Sequence, residues 1–474
     1  SLALNFDPLA NTDDSTCCGA ALPISLATRI GEDIDGEGTH DDYSGHAVAL
    51  SNDGTIMAIG AYGNEGSGND AGHVRVYQRD TSTNLGWTKL GEDIDGENPG
   101  GGASGWSVSL SSDGSIVAIG DHSADGVNGN SSGHVRVYQR DVNTSLGWSK
   151  LGDDLDGEFM GDKFGESVAL SSDGHTVVIG ANQNSEHSAG HGHAQVYNWD
   201  GTSWNQLGDD LDGEFAQDHQ GRHVSISSDG NTVALGGEGS NGSNTGRVRI
   251  YNYNGVSWDK LGGDINGVNS GDKFGYSVSL SSDGSIVAIS SFYHDNKSGH
   301  VRIFQRDINT TLGWTQVGND IDGEASEDES GISVSLSSDG NIVAIGARKN
   351  DASGIEAGHV RIYKNIGGAW QKIFYDIDGE AAGDWSGWRV SLSGNGNTLA
   401  IGAAFNDDNG INAGHVRVYD LSALQYTSPP CSGCTDSLAV NYDSYSLIDD
   451  GTCDYLGCTD SLAFNYDPLA TIDD

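Results

Sequence analysis

Residues 90–150 read LGEDIDGENPGGGASGWSVSLSSDGSIVAIGDHSADGVNGNSSGHVRVYQRDVNTSLGWSK, and versions of this stretch occur seven times in the 474-residue chain. The clause x-Asp-[Ile/Leu]-[Asp/Asn]-Gly returns just after Ile30, Leu90, Leu151, Leu207, Leu261, Val317 and Ile373, a spacing of 54 to 61 residues. Self-similarity at such a period marks a repeat architecture, whose units bury their apolar faces against one another. Within one unit, Ser107 to Leu110, Ile116 to Gly120, His134 to Gln139 and Trp148 to Leu151 are rich in Val, Ile, Tyr and Trp and are separated by turn residues. They read as four short strands. Ser111 to Gly114, Ser-Ser-Asp-Gly, suits a tight hairpin between the first two. Helical periodicity is nearly absent. Four antiparallel strands repeated seven times around an axis predict an all-β fold, a seven-bladed β-propeller.

The ends of the series predict how the ring closes. The last copy stops at Gly414 to Leu421, GHVRVYDL, with no Trp-x-x-Leu strand after it, while Ala27-Thr28-Arg29-Ile30 precedes the first copy as an orphan equivalent. That N-terminal strand is expected to complete the seventh blade. The reading divides the chain into a partial small module (1–19), the propeller (20–421), a linker (422–433), a second small module (434–457) and the start of a third (458–474).

The small modules are copies of one another: SLALNFDPLANTDDSTC (1–17), CTDSLAVNYDSYSLIDDGTC (434–453) and CTDSLAFNYDPLATIDD (458–474). Ser1 falls inside this motif, so no leader peptide is read there and the natural chain is expected to continue in both directions. Segments so short and so poor in apolar residues need a staple, and Cys434 with Cys453 is the expected disulfide. Cys18 and Cys431 flank the two ends of the propeller, and strand-swapped closure favours a bridge between them, worth about 5 kcal/mol at most in chain-entropy models. Cys17 and Cys458 then lack partners within these residues. Such cysteine use points outside the reducing cytosol, to an extracellular or cell-surface protein.

Composition narrows the partners. Against 68 Asp and Glu stand 23 Lys and Arg, a formal charge of −45, which argues against nucleic acid or an anionic membrane and for cations. No apolar run approaches the ~20 residues that span a bilayer. Copies of so acidic a surface repel, so assembly is expected to need counterions at a screening length of about 8 Å.

Two resemblances are carried by particular residues. The order FGESVALSSDG (Phe164 to Gly174), VVIGA (Val177 to Ala181) and GHAQVY (Gly192 to Tyr197), with FGYSVSLSSDG (Phe274 to Gly284), resembles the FG-GAP repeat of integrin α-chain propellers over nearly all of residues 30 to 420. The LGxDIDGE form is similar to propeller repeats of secreted bacterial and algal surface proteins, and the CTDSLAxNYDP modules resemble short cysteine-bearing repeats attached to such proteins. In calcium-binding FG-GAP repeats the first hairpin carries an Asp-x-Asp-x-Asp-Gly core. Here Ser109 to Gly114 offers hydroxyls at two of the acidic positions and Val117 at a third, too few charged oxygens for a hard cation.

Other acidic sets remain as candidates for calcium, the one cofactor considered; none is required by the reading. Asp33, Asp35 and Glu37 alternate along an extended segment and fall on one face, which could hold a cation, or they are solvated charges that link blades. In the small module Asp436, Asn441, Asp443, Asp449 and Asp450 form an oxygen-rich set. The strand GHVRVY carries His73, His134, His193, His300, His359 and His415, with Arg247 in the fourth copy; spread around a ring, these imidazoles are read as packing. Trp87, Trp148, Trp204, Trp258, Trp314 and Trp370 are read as packing between blades. Sequons occur at Asn130, Asn143, Asn241, Asn296 and Asn309.

No nucleophile elbow, HExxH helix or phosphate loop stands out, so the chain is read as non-enzymatic. The favoured function is a structural or adhesive surface protein, a filament subunit joined to its copies or to neighbouring propellers through the small modules. The alternative is an integrin-like adhesin that binds glycans or surface proteins, supported by inserts that differ among copies at Gly63 to Asp70, Asp121 to Ser132 and Ala347 to Ala357.

Overall fold

The Ser-Asp-Gly hairpin and the Val/Ile/Tyr runs shape each blade. In the computed structural model the inner strand of blade two is Ser107–Leu110, followed by Ile116–Asp121, His134–Arg140 and an outer strand in two pieces, Trp148–Lys150 and Leu155–Asp156. Both outer pieces pair antiparallel with the third strand. Seven such sheets form the ring. The structure describes residues 26–422 apart from short breaks at 39–40, 67, 69–70, 98–100, 127, 186–189 and 240–243, together with the backbone of 432–433 and 448–449. The propeller is one compact unit, Leu26–Ser422; Ser1–Ser25 and Ala423–Asp474 make a second, in which Ser432–Gly433 pairs parallel with Ile448–Asp449. All six cysteines lie outside the described residues, and with them the two expected disulfides of Cys434–Cys453 and Cys18–Cys431.

Closure follows the sequence reading. Thr28 and Arg29 pair with Asp420 and Tyr419, and Ile34 and Asp35 pair with Val416 and His415, so the chain's first strand is the outer strand of blade seven. The Asp-Ile-Asp clause therefore ends a blade, and the residues after it cross to the next one.

Blades are held to each other by small residues and backbone. The inner strand needs hydrogen-bond partners for its free edge, and the Ser-x-Ser spacing supplies them. Leu170, Leu280, Leu336, Leu392 and Leu50 each donate a backbone N–H, at 3.0 Å, to the hydroxyl of Ser109, Ser225, Ser279, Ser335 and Ser391 on the preceding blade. At the hairpins a circle of backbone bonds runs from Asn52 N–H to Ser112, then through Ser172, Ser228, Ser282, Ser338 and Gly394, and returns from Asn395 N–H to the Asn52 carbonyl at 3.2 Å. The indoles do the same at the rim: Trp148, Trp204, Trp258, Trp314 and Trp370 donate Nε1–H to the carbonyls of Leu90, Leu151, Leu207, Leu261 and Val317. They pack between blades, as the sequence predicts.

The glycines of the repeat mark where backbones touch. A Cβ on Gly180 of the second strand would lie 2.0 Å from the carbonyl oxygen of Gly221, the glycine that opens the next blade, and the same contact recurs at Gly236 with Gly275 and at Gly346 with Gly387. Gly221 itself has φ +84°, open to glycine at little cost. Gly180→Ala is expected to force two blades apart and cost about 1–3 kcal/mol, as overpacking does. The urea midpoint measures it; a midpoint equal to that of the parent protein would mean the blades are not in backbone contact.

Candidate functional site

Strand direction sorts the chain onto two faces. The Ser-Asp-Gly hairpins lie at one end of the inner strands. The connections after the second strands, the inserts that differ among copies, and the crossings that follow each Asp-Ile-Asp clause lie at the other.

On that second face each blade gathers one set of polar positions from two successive repeats. In blade one they are Glu37 from the crossing, His73 and Arg75 from the third strand, and Lys89, Asp93 and Asp95 from the outer strand. Arg75 pairs with Glu37 at 3.2 Å and Lys89 with Asp93 at 2.8 Å. Blade two repeats this with Arg136–Glu97 at 3.0 Å and Lys150–Asp154 at 2.7 Å, and blade six with Arg361–Glu324 at 3.6 Å and Lys372–Asp376 at 3.0 Å. In blade seven Arg417 meets Glu380 at 3.4 Å and Arg29 meets Asp33 at 2.5 Å. Blade four replaces the histidine by Arg247, which pairs with Asp264 at 3.1 Å.

The strand histidines thus stay apart from one another, and all but His134 gather with carboxylates instead. Glu37, His73 and Asp93 bring ligand-type atoms within 4.8 Å of one another, as do Asp33, Glu380 and His415, and Glu324, His359 and Asp376. Beside blade one lies a cavity of about 500 Å³ whose lining includes Glu37, Asp42, Glu65, Asp93, Asp95 and His73. Of the sequence candidates, Asp33 and Asp35 remain with blade seven while Glu37 crosses to blade one. Burial first, then Asp33 and Asp408, pushes the Asp35 carboxyl up. Asp436, Asn441, Asp443 and Asp450 lie outside the described residues, as does the side chain of Asp449.

The hairpin aspartates are occupied by their own turns. Asp113 Oδ1 accepts from the Ser111 hydroxyl at 2.8 Å, the Ser115 N–H at 2.9 Å and the Ser115 hydroxyl at 2.7 Å. Burial works to raise this carboxyl, but these donors hold it below its ordinary value. The sequons at Asn143 and Asn309 sit exposed on the hairpin face and those at Asn130 and Asn296 exposed on the opposite face; Asn241 lies outside the described residues.

A second cluster, missed in the sequence, occupies the axis where the inner strands begin. The residue after the blade-opening glycine is His46, Trp106, Glu166, Arg222, Tyr276, Ile332 and Trp388 in turn, and the one that follows it is small except for His223 and Arg389. His46 lies 4.3 Å from the Trp106 ring and 5.5 Å from Trp388, and Trp385 stacks on Trp388 at 5.6 Å. Arg348 lies 4.4 Å over Trp388, while Arg222 bonds both Glu166 and the Tyr276 hydroxyl. Burial would raise the Tyr276 phenol, yet Arg222, Arg389 and Arg348 together hold it below its ordinary value, and the Arg222 guanidinium lies 5.1 Å from the ring centre. Arg389 has no carboxylate partner among the described residues. The signal was present in the sequence as a position that refuses to repeat, next to one at which His223 and Arg389 replace a small residue.

The FG-GAP repeat profile matches residues 156–197 and 375–419. No curated protein matches the chain. Among solved structures, hydrazine synthase of Kuenenia stuttgartiensis is similar with a TM-score of 0.52 over 81% of this chain and 97% of that one, at 11% identity. A protein of Bacteroides uniformis ATCC 8492 named for 6-phosphogluconolactonase gives 0.49 over 71% and 86%, at 13% identity. At such identities the likeness is one of fold alone. Among the described residues no helix is long and apolar enough to cross a membrane.

The histidines make stability depend on pH in a known direction. Burial above all, aided by the adjacent arginines, lowers His73, His134, His359 and His415 to about 4 from an ordinary 6.5, and burial lowers His300 likewise. Between those values the unfolded chain binds protons that the folded chain refuses. Stability is therefore complete above about pH 6.5 and is lost progressively as pH falls toward 4. Urea midpoints are expected to drop over that window with proton uptake on unfolding; midpoints flat from pH 7 to 4.5 would show that water reaches the imidazoles.

Proposed function

We propose, from the premise that this chain is a seven-bladed propeller of FG-GAP repeats, that it is a non-catalytic adhesive protein of the cell exterior which recognises an acidic glycan at the axial aromatic and arginine cluster. One observation carries the reading: the position after the blade-opening glycine, which differs from blade to blade, holds Trp106, Arg222, Tyr276 and Trp388, beside Arg348 and Arg389. Tryptophan, tyrosine and arginine supply most of the binding energy at recognition surfaces. Concentrating guanidinium groups at the axis of a chain of charge −45 leaves that spot attractive to anions. Half-buried Trp385 and Trp388 offer ring faces, and Arg389 offers a charge that no neighbouring carboxylate neutralises. FG-GAP propellers and the cysteine-bearing flanks support an extracellular setting.

Calorimetry with sulfated and uronic-acid oligosaccharides tests this reading. Arg389→Gln and Trp385→Ala are expected to weaken binding at least tenfold with unchanged melting. Undiminished binding by both variants, or no binding by the parent protein to any acidic glycan, refutes it.

A second reading, a filament subunit, is favoured by copies of one cysteine-bearing module in 1–17, 434–453 and 458–474, on both sides of the propeller in sequence. Electron microscopy of secreted material is then expected to give fibres with a propeller-sized repeat that dissolve in reductant or chelator; dispersed rings under all conditions reject it.

A further inference from the structure

The axial cluster is lopsided, and its asymmetry bears on how a ligand enters. Aromatic rings run along one side: Phe405 of blade seven lies 5.3 Å from Tyr43, Tyr43 stacks on Tyr62 at 4.9 Å, and Tyr62 meets Trp106 of blade two at 5.1 Å. Cations gather on the other, at Lys163, Arg222, Lys273 and Arg348 of blades three to six, with Arg389 joining them from blade seven. Three of these five are neutralised. Arg222 bonds Glu166, Lys273 pairs with Glu238 at 3.3 Å, and Arg348 pairs with Glu329 at 2.5 Å. Lys163 and Arg389 have no carboxylate partner among the described residues. Burial and then Arg222 lower the Lys163 ammonium; burial, with Arg222 and Arg348, lowers Arg389 although Tyr276 opposes.

Depth orders these groups. The inner strands run from the insert face toward the hairpins, so residues before the opening glycine lie nearest the mouth and residues after it lie further in. Tyr43, Lys163, Lys273 and Trp385 stand two places before that glycine, at φ +54°, +57°, +56° and +55°. Glycine adopts this conformation freely, whereas a residue with a large side chain is strained in it. Strain kept for the sake of a side chain is a mark of function. Trp388 and Tyr276 stand one place after the glycine, and His223 and Arg389 two places after. The unneutralised guanidinium is therefore further in than the rings around the mouth.

Tyr276 and Arg389 together make a receptor for one anionic group. The Tyr276 hydroxyl accepts from Arg222 at 3.2 Å and from Arg389, and among the described residues its own proton has no acceptor. A carboxylate takes that O–H and the Arg389 N–H groups at once, as charge-assisted hydrogen bonds. Trp388 Nε1 and His223 Nδ1 are buried near Arg389 without a partner, and the oxygen-rich edge of a sugar suits them.

We infer, on the acidic-glycan reading above, that the axial site takes the terminal residue of the glycan end-on, a carboxylated sugar whose acid group leads onto Arg389 and Tyr276 while its C–H face lies on the aromatic side. Lys163 adds attraction at the mouth. Because the seven blades enclose Arg389 on every side, the acid enters first and the rest of the glycan leaves by the mouth. An internal unit, with chain on both sides, has to stay above the rings.

Calorimetry of the full chain with three trisaccharides tests this: one with a uronic acid at its non-reducing end, one with the same uronic acid in the middle, and the methyl ester of the first. The terminal acid is expected to bind at least tenfold tighter than the other two, since an unmatched Arg389 penalises both. Tyr276→Phe keeps the ring packed against Phe292 and should erase most of that preference at an unchanged melting temperature. Lys163→Gln is the independent variant and should weaken the terminal acid while leaving the ester unaffected. Equal affinity for terminal and internal acids, both lost in Trp385→Ala, overturns end-on entry and leaves the acidic-glycan reading standing. A terminal preference unchanged in both Tyr276→Phe and Lys163→Gln also overturns the inference, and failure of all three sugars to bind removes the reading with it.

Discussion

Seven inner strands crowd around one axis, and each arrives with an unpaired edge. A sheet edge left with bare N–H and C=O groups is costly when buried and dangerous when exposed. Here the neighbouring blade satisfies it. Serine hydroxyls reach across from Ser109, Ser225, Ser279, Ser335 and Ser391, and the hairpins link head to tail until Asn395 returns to Asn52. The opening glycines then bring blade to blade at backbone distance, and the fully buried second strands, such as Ile116–Asp121, fill the space behind them.

Charge is arranged on the same logic. The chain spends many of its 23 basic residues in two places, the ion pairs beside each buried histidine and the axial cluster. Paired carboxylates next to a neutral imidazole are tolerable in the half-buried space between crossing and outer strand, because Arg75 or its equivalents supply the counter-charge locally. That arrangement leaves the surface strongly acidic and makes any departure from the pairing conspicuous, in either direction. Blade four, with an extra arginine, and blade three, with none, are the two departures.

Much of the fold was legible because the repeat writes each structural need in short-range residues. Asp-Gly turns, Ser-x-Ser inner strands, a Val/Ile second strand and one tryptophan per blade need only local pattern to be read, and the orphan segment at Thr28–Arg29 identified the closing strand. The site was less legible. Alternation placed Asp33, Asp35 and Glu37 on one segment, but the crossing after Gly36 carries Glu37 to a different blade. The histidines look isolated in the sequence because the residues they meet are carboxylates from the preceding crossing and the following outer strand, distant from them in the chain.

The sequence by itself determined the number of blades, their strand order, the closing strand and the acidic character, since each follows from a repeated local signal or from composition. Tertiary structure alone decided which residues meet. The phase between repeat and blade sends each Glu forward to the next His, and the convergence of seven strand ends at one axis joins Trp106, Arg222, Tyr276 and Trp388, drawn from four different repeats. The physical reason is that these side-chain contacts, unlike strand formation, join residues far apart in the chain, and no local preference encodes them.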